Sequence, residues 1–271
     1  MTDETAILTM ARSALESGDA DTEERRRCVV AFEKALLSFS ERDDGRLMRE
    51  LSPMFPQLNR SYERFETDLE VEFSDKLLRG DVNVKQYPLY KRFATLISNE
   101  VRLLNLNSGD PIAIVGSGPF PISAIILSID FGMQVTAVEC NHDAALLSER
   151  VVKQLGLHNN IKVECGHGQD LVARHVSCAI VALLAKPKDA ILNNIFRNYF
   201  QCASVICRTS HGIRQALYCP TDPRALQPYN IIATHLATGD QTISSILLTQ
   251  STWRSADIFS KSSNGPCLRK V

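Results

Sequence analysis

A glycine turn that directly follows an apolar run constrains this chain more than any other feature. Residues 112–115 are apolar, and Gly116-Ser-Gly-Pro119 follow them. An apolar strand that enters such a turn and then a helix is typical of the nucleotide-binding unit of parallel α/β sheets. Glycine permits the sharp turn and lets the backbone pass close to a ligand. We therefore expect a nucleoside-binding crevice lined by Gly116, Ser117, Gly118 and Pro119.

An acid downstream of this turn supports a nucleoside ligand. Glu139 ends the next apolar run, about 20 residues on, where such sheets place the carboxylate that binds ribose hydroxyls. The turn lacks a third glycine, and Pro119 and Pro121 open the helix, so fewer amides face a phosphate. Ile114 stands where adenosylmethionine-binding loops commonly have an acid. For the glycine turn alone, an ordinary strand–turn–helix unit is the alternative.

Apolar runs alternate with helical patterns from Pro111 onward, which predicts an α/β fold with a parallel sheet. We expect strands at 112–116, 134–138, 161–165, 178–184, 203–208, 229–234 and 243–249, with helices near 121–131, 142–156 and 187–200. The last two strands should form an antiparallel hairpin. Five parallel strands plus a C-terminal antiparallel hairpin form the Rossmann-like sheet of adenosylmethionine-dependent transferases.

The first hundred or so residues have helical periodicity. We expect helices that begin at Thr22, cover 58–78 and extend from Tyr90 to about Leu104, with a break at 52–56. The predicted organisation has three parts. They are an N-terminal helical domain at 1–107 that caps the active site, a Rossmann-like catalytic domain at 108–260 and a flexible tail at 261–271.

Charge and cysteine usage narrow the kinds of partner. Thirty basic and 31 acidic side chains leave a net charge of −1, so no overall field attracts nucleic acid or an anionic membrane. No apolar run approaches the roughly 20 residues that span a bilayer, and the N-terminus is unlike a signal peptide, so we expect a cytoplasmic protein. Eight cysteines without a Cys-x-x-Cys pair and six scattered histidines predict no metal site.

Other strand ends carry residues that we assign to the same crevice. Cys140 and Asn141 follow Glu139, and Ala182 lies near the end of the fourth predicted strand. His167 follows the third strand, where neutral imidazole can accept a hydrogen bond from an adenine amine. An ordinary loop histidine is the alternative for His167.

The fifth predicted strand ends in a group of basic residues. Arg208 closes the strand, and His211 and Arg214 follow it. Because a guanidinium binds a carboxylate through two hydrogen bonds, we expect these three side chains to hold carboxylates of the ligands. Surface salt bridges are the alternative.

These segments resemble the nicotianamine synthases. The adenosylmethionine loop of that family is similar to 115–119, and its Arg-Ser-Ala-His-Gly-x-Arg-x-Phe-Leu-Tyr-Pro segment is similar to 208–220, the most specific match. The Phe-Pro-Tyr-Tyr segment resembles Tyr87-Pro-Leu-Tyr90, with Glu100 as the glutamate ten residues on. The Ala-Glu-x-x-Leu-Glu helix resembles 65–70.

The resemblance implies transfer of the 3-amino-3-carboxypropyl (aminobutanoyl) group of S-adenosylmethionine to an amine, with release of 5′-methylthioadenosine. Leu89, Phe93, Thr209 and Ser210 depart from the plant pattern. The chain is more similar to the bacterial branch that extends the α-amine of histidine for opine-type metallophores such as staphylopine, pseudopaline and yersinopine. That branch implies histidine as substrate and an opine dehydrogenase as partner in the next step. A homodimer is a weaker expectation.

The acceptor amine cannot attack S-adenosylmethionine while it is protonated, so the reaction needs a base. Glu66 is the expected base under this interpretation. Tyr90 would orient the amine, Tyr87 would contact the substrate, and Glu100 or Glu70 would be reserve bases. No metal is expected to take part. The alternatives are a nicotianamine synthase with repeated transfer and ring closure, a methyltransferase, and a non-catalytic helical interaction protein. Sequence alone does not decide between D- and L-histidine.

Overall fold

The computed structural model describes residues 4–17, 22–39, 44–170, 176–198 and 204–250. Its first part is helical, as predicted, with α1 to α5 at Glu4–Glu16, Thr22–Leu37, Asp44–Leu51, Phe55–Arg79 and Tyr90–Leu104. Within these described ranges, no helix combines the length and apolar composition needed to span a bilayer. The predicted tail at 261–271 lies outside the described residues, and the domain boundaries stay a prediction.

Left-handed backbone conformations end α4 and α5. Gly80 follows α4 with a φ of 82°, and Asn105 follows α5 with a φ of 52°. Both residue types tolerate this conformation, which lets their amides reach the last carbonyl groups of the helix. The break predicted at 52–56 is a short 3-10 turn at Ser52–Met54 that leads straight into α4, because prolines fit the first turn of each element.

A seven-stranded sheet follows in the order β3-β2-β1-β4-β5-β7-β6. The strands β1 to β7 are Pro111–Val115, Gln134–Glu139, Ile161–Cys165, Cys178–Val181, Ser204–Thr209, Tyr229–His235 and Ser244–Gln250. Helices α6 to α9 are Ile122–Phe131, His142–Gln154, Lys188–Asn198 and Pro223–Leu226. Strands β1 to β5 are parallel, and β7 pairs antiparallel with β5 and with β6. The predicted Rossmann-like sheet with its C-terminal antiparallel hairpin is confirmed.

The strand order reverses direction at β1, and this reversal positions the crevice. β1 pairs with β2 on one side and with β4 on the other. The connections after β1 and β4 therefore leave the sheet on either side of one gap at its carboxyl edge, where α/β sheets bind ligands. The glycine turn after β1 and the segment after β4 meet at this gap.

A buried ion pair joins the helical part to the sheet. Arg208 of β5 donates from Nε and Nη2 to the two carboxylate oxygens of Glu100 on α5, at 2.9 and 2.8 Å. Ser245 of β7 donates to the same carboxylate at 2.7 Å, and Arg208 Nη1 donates to Ser123 of α6 at 3.0 Å. The Glu100 side chain is 0% exposed and that of Arg208 is 3% exposed. Four elements are thus fixed around one pair of charges.

We expect Glu100→Ala to lower the free energy of unfolding by about 3–5 kcal/mol, because it leaves the Arg208 charge buried without its anion. Denaturant unfolding measures this change. Glu149→Ala is the control, since it removes an exposed pair with Lys153 at 2.8 Å and should cost less than about 1 kcal/mol. Equal losses in the two variants would contradict the stabilising role of the buried pair.

Candidate active site

A cavity of about 420 Å³ lies at the carboxyl ends of β1, β2 and β4. Glu66 and Glu70 of α4 line it from the helical part, and Phe93 of α5 also contributes. The residues that were predicted for the cofactor and that line this cavity are Gly116, Ser117, Gly118, Pro119, Glu139, Cys140, Asn141, His167 and Ala182. The structure thus brings together residues from six segments that are distant in sequence, and their individual roles stay predictions.

Close neighbours crowd the position that a side chain would take at both glycines of the turn. Gly116 and Gly118 have φ values of 85° and 73°, which L-residues rarely adopt. A Cβ at Gly116 would lie 3.0 Å from the Cβ of Ala185, and a Cβ at Gly118 would lie 2.6 Å from Oε2 of Glu70. Gly118 therefore lets a carboxyl group of α4 approach the backbone of the turn.

Glu139 is held by backbone amides on both sides. The Gly118 amide donates to Oε2 and the Asn141 amide donates to Oε1, each at 2.9 Å. The residue is 8% exposed and lines the cavity. Since each carboxylate oxygen accepts more than one hydrogen bond, the group is positioned to accept ligand hydroxyls as well.

Two carboxyl groups one helical turn apart line the cavity from α4. Burial raises the pKa of Glu66 to about 7, against the opposing effects of Tyr218 and Arg92. Burial, followed by the charge of Glu66, raises the pKa of Glu70 well above its ordinary value. A carboxyl group with a pKa near 7 can both take and release a proton at neutral pH. Glu66 has the properties expected of a general base, whereas Glu70 favours its protonated form.

A hydrogen-bonded cluster lies beside Glu66. Arg92 donates to Glu33 at 2.5 Å and to the Tyr62 hydroxyl at 3.3 Å, and that hydroxyl donates to Glu33. Tyr218 lines the cavity, packs edge-on against Tyr62 with ring centroids 4.9 Å apart, and influences the pKa of Glu66. Its buried hydroxyl has no partner of ordinary hydrogen-bond geometry within the described residues. Tyr218 interacts with Glu66, whose pKa it lowers, and its hydroxyl can also hydrogen-bond a ligand.

Sequence reasoning did not identify this cluster. The available signal was the position of Glu33, a charged residue between Phe32 and Leu36 on the apolar side of α2, where all three side chains are buried. A buried acid requires a partner, which Arg92 and Tyr62 supply.

Five predicted catalytic or substrate-binding residues lie outside the cavity lining, and three of them, Glu100, Tyr90 and Tyr87, belong to the helical part. Glu100 is not available as a reserve base, because Arg208 and Ser245 occupy its carboxylate. The Tyr90 hydroxyl donates to Asp130 at 3.2 Å in an exposed position and so does not orient a group in the cavity. Tyr87 is buried, and its ring packs against the aromatic rings of α4 and of the glycine turn.

The predicted carboxylate-binding group is also separated. Arg208 lines the cavity, but its guanidinium is bound to Glu100. Arg214 donates to two carbonyl groups of the β6–β7 connection at 2.5 and 2.9 Å, so it stabilises that connection. His211 is exposed and does not line the cavity. The structure does not bring these three side chains together at the cavity, and protein groups already use both guanidinium groups. Their role in binding carboxylates stays a prediction.

Comparisons with known proteins agree on one family. A family model described as nicotianamine synthase protein matches residues 27–255. An L-histidine 2-aminobutanoyltransferase of Yersinia pestis is 26% identical over 128 residues, which is 47% of this chain and 48% of that protein. Nicotianamine synthase 3 of Oryza sativa subsp. indica is 24% identical over 205 residues, 68% of this chain and 59% of that protein. The matches thus span about half to three fifths of these relatives.

A solved structure shows the same fold. MtNAS in complex with MTA and tNA superposes with a TM-score of 0.81 at 24% identity, over 90% of this chain and 97% of that one.

Among the residues that the structure describes, no three His, Cys, Asp or Glu side chains are grouped to hold a metal ion. The expectation of a reaction without metal stays a prediction.

We expect Gly118→Ala to destabilise the protein more than Gly80→Ala. Both glycines have a left-handed backbone, which costs an L-residue about 1–2 kcal/mol, but a Cβ at Gly80 meets nothing within 4 Å. The additional loss at Gly118 comes from the Glu70 carboxyl and should disappear when Glu70 is also replaced by alanine. Denaturant unfolding of the two single variants and of the double variant measures it. The loss in the double variant is taken relative to Glu70→Ala alone. If Gly118→Ala costs the same free energy of unfolding with Glu70 present and with Glu70 replaced, the close contact is contradicted.

Proposed function

Because this chain belongs to the nicotianamine synthase family, we propose that it transfers the 3-amino-3-carboxypropyl group of S-adenosylmethionine to an amine and releases 5′-methylthioadenosine. The observation that carries the proposal is one cavity that holds Glu66, with its pKa of about 7, together with the glycine turn and Glu139. A nucleoside site and a general base are the two elements that this reaction needs.

S-adenosylmethionine is the proposed co-substrate. Glu139 would accept hydrogen bonds from its ribose hydroxyls, and the turn from Gly116 to Pro119 would pass close to the nucleoside. His167, which is exposed at the cavity, would accept a hydrogen bond from the adenine amine. Cys140, Asn141 and Ala182 would complete the walls. Glu139, together with Glu66 when it is ionised, gives the cavity negative charge that suits a ligand with a sulfonium and an ammonium group.

Glu66 is the proposed general base. It takes the proton of the acceptor amine, whose lone pair then attacks the γ-carbon of the aminobutanoyl group. A new carbon–nitrogen bond forms, the carbon–sulfur bond breaks, and its electron pair stays on sulfur as a neutral thioether. Tyr218 would orient the carboxylate or the amine. Holding both reactants in register can supply roughly 7–11 kcal/mol of the barrier reduction.

We propose the α-amine of histidine as the acceptor. The Yersinia pestis relative is named for that reaction, and Leu89 and Phe93 depart from the plant pattern in this region. The product would then pass to an opine dehydrogenase for a metallophore. A nicotianamine synthase is the second candidate, because the plant relative matches a longer stretch of the chain. Cytoplasmic location and a homodimer stay predictions.

Product analysis tests the reaction. We expect the protein, supplied with S-adenosylmethionine and histidine, to release methylthioadenosine and a histidine that carries one aminobutanoyl group, identified by mass. L- and D-histidine are assayed separately. A product of repeated transfer without histidine would support the nicotianamine synthase. S-adenosylhomocysteine as the nucleoside product would contradict aminobutanoyl transfer and indicate a methyltransferase.

Glu66→Gln should lower turnover by about 10²-fold or more while leaving the affinity for S-adenosylmethionine largely unchanged. In the unaltered protein, kcat/KM should rise with pH through about 7, because Glu66 acts as a base only when deprotonated. The variant should lose this rise. The matched control is Asp75→Asn, an exposed acid further along α4 and outside the cavity lining, which should keep both turnover and pH profile. Normal turnover of Glu66→Gln would remove Glu66 as the base.

A further inference from the structure

A second cavity adjoins the first and has no role in the reaction as proposed above. Its volume is about 500 Å³, and it lies among the β4–α8 connection, the start of α8 and residues 219–225. Leu183 and Lys186 line both cavities. A ligand in the first cavity could therefore extend into the second.

Lys188 is the residue in this second cavity that lacks a counter-ion. Its ammonium donates to the carbonyl of Ala182, a residue of the first cavity, at 2.6 Å. Across the described ranges, no carboxylate pairs with it, and the nearby ionisable groups that affect it are Cys207, Arg208 and Lys186. Desolvation is the main cause that lowers its pKa to about 8. An ammonium has three hydrogen-bond donors, so two remain for a ligand.

The other charged side chains of the second cavity are two bases, Lys186 and Arg224, and two acids, Asp189 and Asp222. Lys186 contacts Glu63 only loosely, at 3.6 Å, and is 59% exposed, so it can turn toward a ligand. Asp222 and Arg224 pair with each other at 2.6 Å. Asp189 is an exposed acid in the first turn of α8. The N-terminus of this helix adds partial positive charge next to Lys188.

We propose that this second cavity binds the carboxylate of the acceptor amino acid, with Lys188 and Lys186 as the cations that hold it. The inference rests on the proposed aminobutanoyl transfer. Arg208 and Arg214 are engaged within the protein, and Glu139, together with Glu66 when it is ionised, would repel an acceptor carboxylate in the first cavity. Lys186 stands at the shared wall, so the carboxylate can lie in the second cavity while the amine of the same molecule faces the first.

The test compares histidine with histamine, which has the same imidazole and a primary amine but no carboxylate. We expect the unaltered protein to prefer histidine in kcat/KM by about 10- to 100-fold, the range for charge-assisted hydrogen bonds. Lys188→Met should remove most of this preference by lowering kcat/KM for histidine alone, and Lys186→Met should reduce it in part. Lys153→Met, on the exposed face of α7, is the control and should change neither value.

A pH profile and a cofactor titration distinguish carboxylate binding at Lys188 from a structural role of this lysine. The preference for histidine should decline above about pH 8, where Lys188 loses its proton, with Cys207, Arg208 and Lys186 as its ionisable neighbours. An equal loss for both amines in Lys188→Met would indicate a structural role and overturn the proposal. If Lys188→Met instead binds S-adenosylmethionine more weakly and keeps the preference for histidine over histamine, the lysine holds the carboxylate of the co-substrate. That result would also overturn the proposal.

Direct binding keeps the site testable if no amine is turned over. Absence of methylthioadenosine with every acceptor would remove the proposed function. Calorimetric titration of histidine and histamine into the protein with S-adenosylmethionine then tests the site by itself. Tighter binding of histidine that depends on Lys188 would support a carboxylate site. Equal binding of the two amines would overturn it.

Discussion

Charges inside a protein are stable only when their hydrogen-bonding capacity is satisfied, and the contact between Glu100 and Arg208 meets this condition across four elements. Because α5, α6, β5 and β7 each contribute one of the bonded side chains, the helical part has a defined position over the carboxyl edge of the sheet. The cavity depends on that position. Glu66 and Phe93 line it only because the helices that carry them are fixed there.

The cavity keeps the carboxyl groups of Glu66 and Glu70 on α4 away from water, and this burial lowers the stability of the fold. Burial raises the pKa values of Glu66 and Glu70, which means that the fold disfavours their ionised forms. Packing alone would favour apolar side chains at these positions. Carboxyl groups with raised pKa values in a cavity, here next to the Tyr218 phenol that lowers the pKa of Glu66, are typical of sites that exchange protons with a ligand.

The sheet could be predicted from sequence because each strand is a short apolar run bounded by turn residues. The third strand agrees at both ends, whereas β4 ends at Val181 rather than at residue 184. The chain turns there, since the Ala185 amide bonds back to the carbonyl of Ala182. The insertion of β7 between β5 and β6 leaves no local signal, because strand order depends on packing of the whole sheet.

The meeting of the residues assigned to the cofactor at one cavity was predictable for a similar reason, since residues at the ends of parallel strands meet at one edge. Their individual roles stay predictions. The partners of Arg208 and Arg214 were not predictable, because they are distant in sequence. Glu100 lies 108 residues from Arg208, and a salt bridge of that separation has no periodic pattern. A basic residue at a strand end therefore predicts a location but does not show whether its charge is free.

The contact of Glu70 with the turn at Gly118 joins two parts of the protein through the ligand site. Gly118 also bonds Glu139, so its backbone lies between a carboxyl group of the helical part and one of the sheet. A ligand that fills this cavity touches both parts at once and stabilises their association in proportion to its binding energy. Binding of a ligand there and docking of the N-terminal helices are then thermodynamically linked, so each stabilises the other.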